Sequence, residues 1–386
     1  MLPSLELIVQ TLPPHHDAIG EYTQCLAEEL SKSTRVAILL PDDISVAPIS
    51  NTEIYQCFHR CGRRRFDGLF NHLLNLESTV VLLQYNPFCW GKRGWAPDLV
   101  RLFHALRQNR PDLVIGMMFH ETFTMNPGWR AALLRSFQYP QYQALCKLAD
   151  ALFFSTEVWA VSCRKSIRDR PVIHLPVGAN LPPSVANRAA VRERLGIPKE
   201  VVACGVFGGA HPSRMIGRIE SAVRRIVERL GTNQAVRFLH IGGEPIVWNL
   251  GGVAVSATGR LPARQASDTI ATLDLMINPF SDGVSTRRGS VIAGLQNGVP
   301  VLTTHGHHTD QVWFGGSDNG VFLADADTES SWIDATDRAL KAVISSPTQT
   351  RFQAQTFFNR NFTWERITKT VLETLHDACT SRQRPA

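Results

Sequence analysis

The chain has 386 residues, of which 44% are hydrophobic and 19% are charged, as in an ordinary globular protein. This length is about twice that of one typical domain, so two domains are expected. The formal net charge of +6 fits contact with an anionic substrate, an anionic membrane face or nucleic acid, and does not choose among them. No apolar run approaches the roughly 18 residues that span a bilayer, and we expect a cytoplasmic protein.

Neither the cysteines nor any group of His or Asp residues in the sequence suggests a bound metal. The eight cysteines are scattered, and none forms the Cys-x-x-Cys pair of zinc or redox sites. We therefore expect most cysteines to be small buried hydrophobes, and we expect neither a metal nor a cofactor.

Strands and helices alternate in the first half, which indicates a parallel sheet. The predicted elements are a strand at Leu5–Gln10, a helix at Gly20–Leu30, strands at Val36–Leu40 and Val80–Gln84, a helix at Pro97–Arg107 and a strand at Leu113–Phe119.

The second half repeats this alternation, so two doubly wound α/β units are expected. Its predicted elements are a strand at Val201–Phe207, a helix at Arg214–Leu230, strands at Val236–Ile241 and Val253–Ala257, a helix at Arg264–Leu273, and strands at Leu275–Ile277 and Val299–Leu302.

A segment rich in chain-breaking residues, Pro176–Pro183, separates the two halves and suits a hinge. We place an N-terminal domain at residues 1–178 and a C-terminal domain at residues 179–361. Residues 362–386 begin with apolar residues at helical spacing, which predicts a helix that packs back on the first domain.

In each half of the chain, a glycine-containing loop follows the first strand. Ligands of doubly wound sheets bind at the carboxyl ends of strands, where helix N-termini favour phosphate. Gly20 would let the backbone approach a ligand, although its loop is also explained as a plain strand-to-helix connection. The turn Gly205–Arg214 includes Gly209 and combines flexible backbone with a cation, as a diphosphate site requires. Neither a Gly-x-Gly-x-x-Gly fingerprint nor a Walker lysine loop occurs, which disfavours dinucleotide and P-loop enzymes.

A third loop, Asn278–Ser290, carries a carboxylate, two guanidinium groups and several hydroxyls ahead of an apolar helix. We expect Asp282 to have a catalytic role, and we expect Arg287, Arg288 and Ser290 to bind a diphosphate. A solvated loop capped by serine or threonine is the alternative.

His120 and Glu121 follow the predicted strand Leu113–Phe119. A histidine beside a carboxylate at a strand end can bind a sugar hydroxyl or exchange a proton, so His120 is a catalytic candidate. Glu121, Tyr85 and Trp129 are candidates for contact with an acceptor, although aromatic residues are at least as often core residues.

The basic segment His59–Arg65 is a further candidate contact. Its cations suit an acidic acceptor, a phospholipid surface in peripheral membrane contact, or nucleic-acid phosphates. A solvated basic loop is the alternative.

In this order, the segments resemble the retaining GT-B glycosyltransferases of glycosyltransferase family 4. The resemblance covers nearly the whole chain and rests on Leu12–Thr23, Phe119–Glu121, the turn ending at Arg214, Thr258–Pro262 and Gly298–Val301. It implies two Rossmann-like domains that face each other across a donor cleft. It also implies transfer of a sugar from a nucleotide-diphosphate donor, a UDP- or GDP-sugar, to an acceptor that the sequence does not identify.

The resemblance also implies roles for single residues. Gly20 and Arg214 would lie on the donor diphosphate, and His120 would lie beside the transferred sugar. Gly259 and Arg260 would contact the nucleotide base. The departing nucleoside diphosphate would be stabilised by arginines and helix N-termini without a metal, and the anomeric configuration would be retained.

One element of the family pattern is missing. The family has an acidic residue, seven intervening residues and a ribose-binding Glu just before the Gly-x-Pro-Val element. These two positions hold Ser285 and Ala293 here. The base, the sugar and the means of ribose recognition therefore stay open.

Three other functions stay open as well. A DNA-modifying glycosyltransferase would bind DNA in a salt-sensitive way. An epimerase or a phosphorylase of the same architecture would show isomerisation or phosphate-dependent cleavage. A non-catalytic nucleotide-sugar binding protein would bind donor without transfer or hydrolysis.

Overall fold

The computed structural model describes residues 4–77, 79–125, 128–232, 234–244, 246–315 and 319–383. The chain forms two compact units, one from Met1–Pro176 together with Trp364–Ala386 and the other from Val177–Thr363. Each unit contains a parallel sheet with helices connecting its strands. The prediction of two doubly wound α/β units is confirmed.

The sheet of the first unit has the strand order β3-β2-β1-β4-β5-β6-β7, and every pair is parallel. Its strands are β1 Ser4–Ile8, β2 Arg35–Pro41, β3 Thr52–Phe58, β4 Val80–Tyr85, β5 Val114–Phe119, β6 Ala151–Phe154 and β7 Val172–His174. Leu7 is in register with Ile38 on one side and with Leu82 on the other. The central strands are apolar and buried along their length because helices cover both faces of a parallel sheet.

Six helices follow strands of this sheet. They are α1 Ala18–Leu30, α2 Asp67–Leu74, α3 Pro87–Trp90, α4 Pro97–Asn109, α5 Trp129–Leu148 and α6 Glu157–Ser166. Asp17 caps α1 by accepting a hydrogen bond from the Gly20 N–H at 2.8 Å. The core includes Leu83, Phe103, Ile115 and Phe154.

The sheet of the second unit has the strand order β10-β9-β8-β11-β12-β13, again with parallel pairs. Its strands are β8 Val202–Phe207, β9 Val236–Ile241, β10 Ala254–Ala257, β11 Leu275–Ile277, β12 Val301–His305 and β13 Val321–Asp325. Its helices are α7 Arg188–Arg194, α8 Ile216–Leu230, α9 Ala263–Ala271, α10 Gly289–Gln296, α11 Glu329–Ser345 and α12 Pro347–Asn361.

The last helix, α13 Trp364–Gln383, belongs to the first unit and packs against α1, β5 and β6. Its buried residues Ile367, Val371 and Leu375 recur at helical spacing. Gly116 in β5 makes room for this helix, because a Cβ there would lie 2.9 Å from the Leu375 Cδ2. Residues 384–386 of the predicted C-terminal segment lie outside the described residues.

The topology places the candidate loops at the carboxyl ends of the strands in each sheet. In the second unit β9 and β10 extend the sheet from β8 in one direction, and β12 and β13 extend it from β11 in the other. The loops after β8 and β11 therefore flank a topological switch point, where ligands of doubly wound sheets bind. Among the described helices, none is both long and apolar enough to cross a membrane.

Candidate functional site

The loops after β8 and β11 are joined by backbone contacts. The Ser281 N–H donates to the Ser213 carbonyl at 2.8 Å, and the Met215 N–H donates to the Pro279 carbonyl at 3.2 Å. Between these two bonds, Arg214 and Phe280 form an isolated antiparallel bridge. The glycine-rich turn and the arginine loop predicted separately from the sequence thus form one structure, which we call the arginine cradle (residues 208–215 and 278–290).

Arg214 is a buried cation held by backbone carbonyls. Its Nη1 donates to the Gly208 carbonyl at 2.9 Å and its Nη2 donates to the Phe207 carbonyl at 3.0 Å. No carboxylate of the described residues forms an ion pair with it. Burial lowers the pKa of Arg214 to about 10, so the guanidinium stays charged at neutral pH at an energetic cost.

Arg288 is buried beside it and has a carboxylate partner. Its Nη2 donates to Asp282 Oδ1 at 2.6 Å and to Ser213 Oγ at 3.0 Å, and its Cζ lies 4.2 Å from the centre of the Phe280 ring. Burial, then the charge of Arg287, lowers the pKa of Arg288 to about 10. Ser213 belongs to the loop after β8 and Arg288 to the loop after β11, so this hydrogen bond joins the two predicted loops beside their charged groups.

Asp282 is the counter-ion of this cradle. Its Oδ2 lies 3.4 Å from the Arg287 Nη2 and 3.7 Å from the His308 Nδ1, besides the contacts with Arg288. Burial raises the pKa of Asp282, but the contact with His308 and the arginine charges outweigh it and hold that pKa well below its usual range. The carboxylate is thus a weak proton acceptor, and the catalytic role expected of Asp282 stays a prediction.

Two close backbone approaches shape the cradle. Gly283 has a φ of +87°, and a Cβ there would lie 2.2 Å from Thr309 Oγ1 and 2.3 Å from the Gly306 N. A Cβ at Gly243, in the turn after β9, would lie 2.4 Å from the Gly209 Cα. Glycine is therefore required at position 283, where the loops after β11 and β12 touch, and at position 243, where the loops after β8 and β9 touch.

The other donor candidates of the second unit differ in whether they belong to the arginine cradle. Ser290 is in the first turn of α10 and accepts a hydrogen bond from the Asn278 Nδ2 at 3.1 Å. Gly259, with a φ of +61°, and the exposed Arg260 follow the edge strand β10. Across the described chain, no hydrogen bond or ion pair joins Arg260 to the cradle, and its contact with a base stays a prediction.

His120 is held at the carboxyl end of β5 in the first unit. Its Nε2 lies 2.8 Å from Gln84 Oε1, and its ring packs edge-on against Tyr22 at 4.7 Å. Burial lowers the pKa of His120 to about 3, so the ring is neutral at neutral pH. With the Gln84 oxygen accepting, Nε2 carries the proton and Nδ1 keeps a lone pair.

Gly20 is buried in the first turn of α1. A Cβ there would lie 2.8 Å from the Thr11 carbonyl oxygen, so glycine lets the helix approach the end of the preceding segment. Its N–H is already bound to the Asp17 carboxylate at 2.8 Å. This shows a packing role for Gly20, and its contact with a diphosphate stays a prediction.

The three acceptor candidates differ in exposure. Tyr85 is only 2% exposed and packs against Phe119 at 5.1 Å in the core of the first unit, so its side chain serves packing. Glu121 is half-buried and accepts a hydrogen bond from the Asn86 Nδ2 at 3.4 Å. Trp129 is 73% exposed at the start of α5. Asn126 and Pro127 of the aromatic stretch between Phe123 and Trp129 lie outside the described residues.

An aromatic cavity of about 350 Å³ begins just beyond His120. Its lining includes Phe123, Tyr139, Tyr142 and Trp159, together with the buried Thr122, whose hydroxyl has no hydrogen-bond partner among the residues that the structure describes. Phe123, two residues after the acceptor candidate Glu121, therefore lines a cavity.

Three residues that sequence reasoning missed contribute to these sites. Gln84 orients His120, Ser213 accepts from Arg288, and His308 contacts Asp282. A glutamine within the apolar strand β4 is a signal that could have been used, because a buried polar side chain requires a partner. Within the described ranges, no three His, Cys, Asp or Glu side chains converge as a metal site would require.

Solved glycosyltransferase structures superpose on nearly the whole chain. Sucrose-phosphate synthase from Thermosynechococcus elongatus gives a TM-score of 0.69 at 14% identity, covering 98% of this chain and 100% of that chain. HepE from Anabaena in complex with UDP-glucose gives a TM-score of 0.66 at 12% identity, covering 97% of this chain and 99% of that chain. WaaG, a glycosyltransferase involved in lipopolysaccharide biosynthesis, gives a TM-score of 0.61 at 14% identity, covering 99% of this chain and 100% of that chain. No family model and no curated protein matches the sequence.

At these identities the likeness establishes the fold. The chain has the GT-B fold, with two Rossmann-like domains built on parallel sheets of seven and six strands. The expectation of this fold from the sequence is confirmed.

Proposed function

We propose that the protein is a glycosyltransferase that moves a sugar from a nucleoside-diphosphate sugar to an acceptor, with the donor diphosphate bound in the arginine cradle. The observation that carries the proposal is Arg214, a buried guanidinium that no described carboxylate neutralises, beside Arg288. A buried charge without a counter-ion is costly in a folded protein unless a ligand supplies the opposite charge.

The charges of the cradle match a diphosphate. Asp282 contacts Arg287 and Arg288, whereas no carboxylate in the described part of the chain pairs with Arg214, so the Arg214 guanidinium can bind an anion. The N-terminus of α10 lies at the same loop, where the dipole of the helix favours an anion. When the bond to the sugar breaks, charge develops on the departing diphosphate, and arginines already in place stabilise it without reorganisation. The proposed transfer accordingly requires no metal.

We assign the transferred sugar to His120. Because its ring is neutral, the Nδ1 lone pair can accept a hydrogen bond from a sugar hydroxyl, while Gln84 fixes the ring through Nε2. The proposal includes retention of the anomeric configuration, as in glycosyltransferase family 4, with the departing phosphate accepting the proton of the acceptor. The complex of HepE with UDP-glucose, at the same fold, makes a UDP-sugar the first donor to test.

The test is binding of a panel of nucleotides, followed by chemistry. UDP, GDP and UDP-glucose are titrated by calorimetry into the wild type and into Arg288→Ala, with the exposed Arg194→Ala on α7 as the matched control. Loss of one charge-assisted contact to phosphate should weaken diphosphate binding by about tenfold or more in Arg288→Ala only. Equal binding by both variants, or no nucleoside diphosphate bound by the wild type, would refute the donor site.

Release of free glucose from UDP-glucose distinguishes an enzyme from a binding protein. A transferase is expected to hydrolyse its donor slowly to glucose and UDP without an acceptor, and Arg288→Ala should slow this by about a hundredfold. Donor binding with no hydrolysis, and no transfer to any acceptor offered, would favour the non-catalytic alternative. Isomerised nucleotide sugar, or phosphate-dependent cleavage of a glycoside, would favour an epimerase or a phosphorylase.

A further inference from the structure

A second cationic site lies in the first unit, away from His120. It is a groove of about 730 Å³ between the loop after β3, the segment that follows α3, and α4. The lining includes five exposed cations from these three segments, Arg60, Arg63, Arg64, Lys92 and Arg101. The basic loop noted in the sequence is therefore one wall of a concave site.

This wall is fixed by a buried arginine. Arg65 donates to the Arg60 carbonyl and to the Trp90 carbonyl, both at 2.7 Å, and also forms a hydrogen bond of 3.0 Å with Asp98 Oδ1. Arg64 has a φ of +64°, a left-handed conformation that is uncommon for a residue with a side chain. Strained backbone of this kind clusters at ligand sites, where the surrounding structure holds it in place. The loop is thus a rigid platform.

The groove has cations without partners. Its two lining carboxylates, Asp67 and Asp98, pair with Arg64 and Arg65. Arg63, Lys92 and Arg101 form no hydrogen bond or ion pair within the described part of the chain through their side chains. Three unneutralised cations around one concavity repel each other and attract an anion.

An apolar surface accompanies these cations. Trp95 is 54% exposed and lines the groove with Phe70. Its ring packs against Phe137 at 5.4 Å, which fixes its orientation. A flat exposed ring beside cations fits a ligand that joins an anionic group to a sugar ring or another apolar face.

We propose that this groove binds a small molecule bearing a phosphate or diphosphate, with the anion on Arg63, Lys92 and Arg101 and the organic part on Trp95. Its wall is connected to the candidate sugar residue, because the Trp90 Nε1 donates to the Gln84 carbonyl and the Gln84 side chain holds His120. The assignment of this ligand as the sugar acceptor rests on the proposed function, whereas phosphate binding does not.

The experiment compares two triple variants of the full chain by calorimetry with inorganic pyrophosphate. The groove variant is Arg63→Ala, Lys92→Ala, Arg101→Ala. The control, Lys165→Ala, Arg168→Ala, Arg366→Ala, removes the same charges from exposed positions of the same unit. The pyrophosphate binding that remains when Arg288 of the cradle is replaced by alanine is assigned to the groove. This binding should weaken at least about tenfold in the groove variant and remain in the control.

Two arms distinguish the source of the phosphate. Sedimentation with phosphatidylcholine vesicles, with and without phosphatidylglycerol, tests a lipid headgroup, and glucose 6-phosphate tests a soluble ester. Binding of either probe that is lost in the groove variant supports the proposal and identifies its source. Equal binding of every probe by both triple variants, or no binding at all, overturns it. Loss of UDP binding in Arg288→Ala is scored separately and concerns the donor site alone.

Discussion

Replacing Arg214 with methionine separates a ligand-binding arginine from a structural one. The fall in the pKa of Arg214 from 12.5 to about 10 corresponds to roughly 3 kcal/mol against the charged side chain in the folded protein. Methionine removes this cost at similar length, but it gives up two hydrogen bonds from a charged donor to backbone carbonyls, each worth about 1.5–3 kcal/mol. The two effects largely offset each other, so the free energy of unfolding without ligand should fall by no more than about 3 kcal/mol.

The same substitution should weaken donor binding, because the cation that a diphosphate would neutralise is gone. We expect the melting temperature of unliganded Arg214→Met to fall by no more than about 10 °C, and we expect UDP binding to weaken at least about tenfold. Differential scanning calorimetry and titration calorimetry measure the two quantities, with the exposed Arg194→Met as control. A variant that melts earlier than the wild type and binds UDP normally would show that Arg214 only anchors the turn.

Three further expectations concern single residues. Burial, then Glu53, raises the pKa of Glu6 to about 7, so stability from this group is complete below pH 4.5 and lost as the pH rises through 7. Glu6→Gln should raise the free energy of unfolding by up to about 3 kcal/mol at pH 8 and not at pH 4, measured by urea denaturation. The His120 ring should show no NMR titration between pH 5 and 8, because its pKa is about 3. Gly283→Ala should cost several kcal/mol in urea unfolding, whereas Gly217→Ala, an open helical position, should stabilise by about 0.5–1 kcal/mol.

The strands at the centre of each sheet were predictable from sequence, whereas among the edge strands β10 was predicted and β3, β7 and β13 were not. The prediction at Val201–Phe207 matches β8 to within one residue, and Leu275–Ile277 matches β11, because strands covered on both faces are continuous apolar runs. The edge strand β3, Thr52–Phe58, was missed because its polar and apolar residues follow no regular pattern and Phe58 alone in this strand is fully buried. Short strands such as β7, with three residues, give too little pattern to be recognised.

The loops of the candidate site were predictable from sequence, but which of these loops contact each other was not. Apolar strands that end in glycine, arginine and hydroxyl residues indicate ligand loops from sequence alone. Arg288 and Ser213 are 75 residues apart, and only the folded sheet shows that they touch. Tyr85 illustrates the same limit, since an aromatic residue at a strand end has the same local sequence whether it faces a ligand or the core.

The cradle also implies a way of selecting the donor. In nucleotide sites an acidic side chain commonly binds the ribose 2′-hydroxyl, and the two positions where the family pattern requires acids hold the buried Ser285 and Ala293. Asp282 cannot replace them, because both of its oxygens face arginines. Donor affinity should then come from phosphate contacts, which are the same in ribo- and deoxyribonucleotides.

UDP and dUDP should accordingly bind with dissociation constants within about threefold of each other. A carboxylate on the 2′-hydroxyl contributes about 1.5–3 kcal/mol, so a site that contained one would bind dUDP at least about tenfold more weakly. Titration calorimetry of the wild type with both nucleotides measures the ratio, and UMP reports the share that the second phosphate contributes. A dUDP affinity tenfold or more below that of UDP would mean that another carboxylate reaches the ribose, and the recognition assigned to the arginine cradle would then be incomplete.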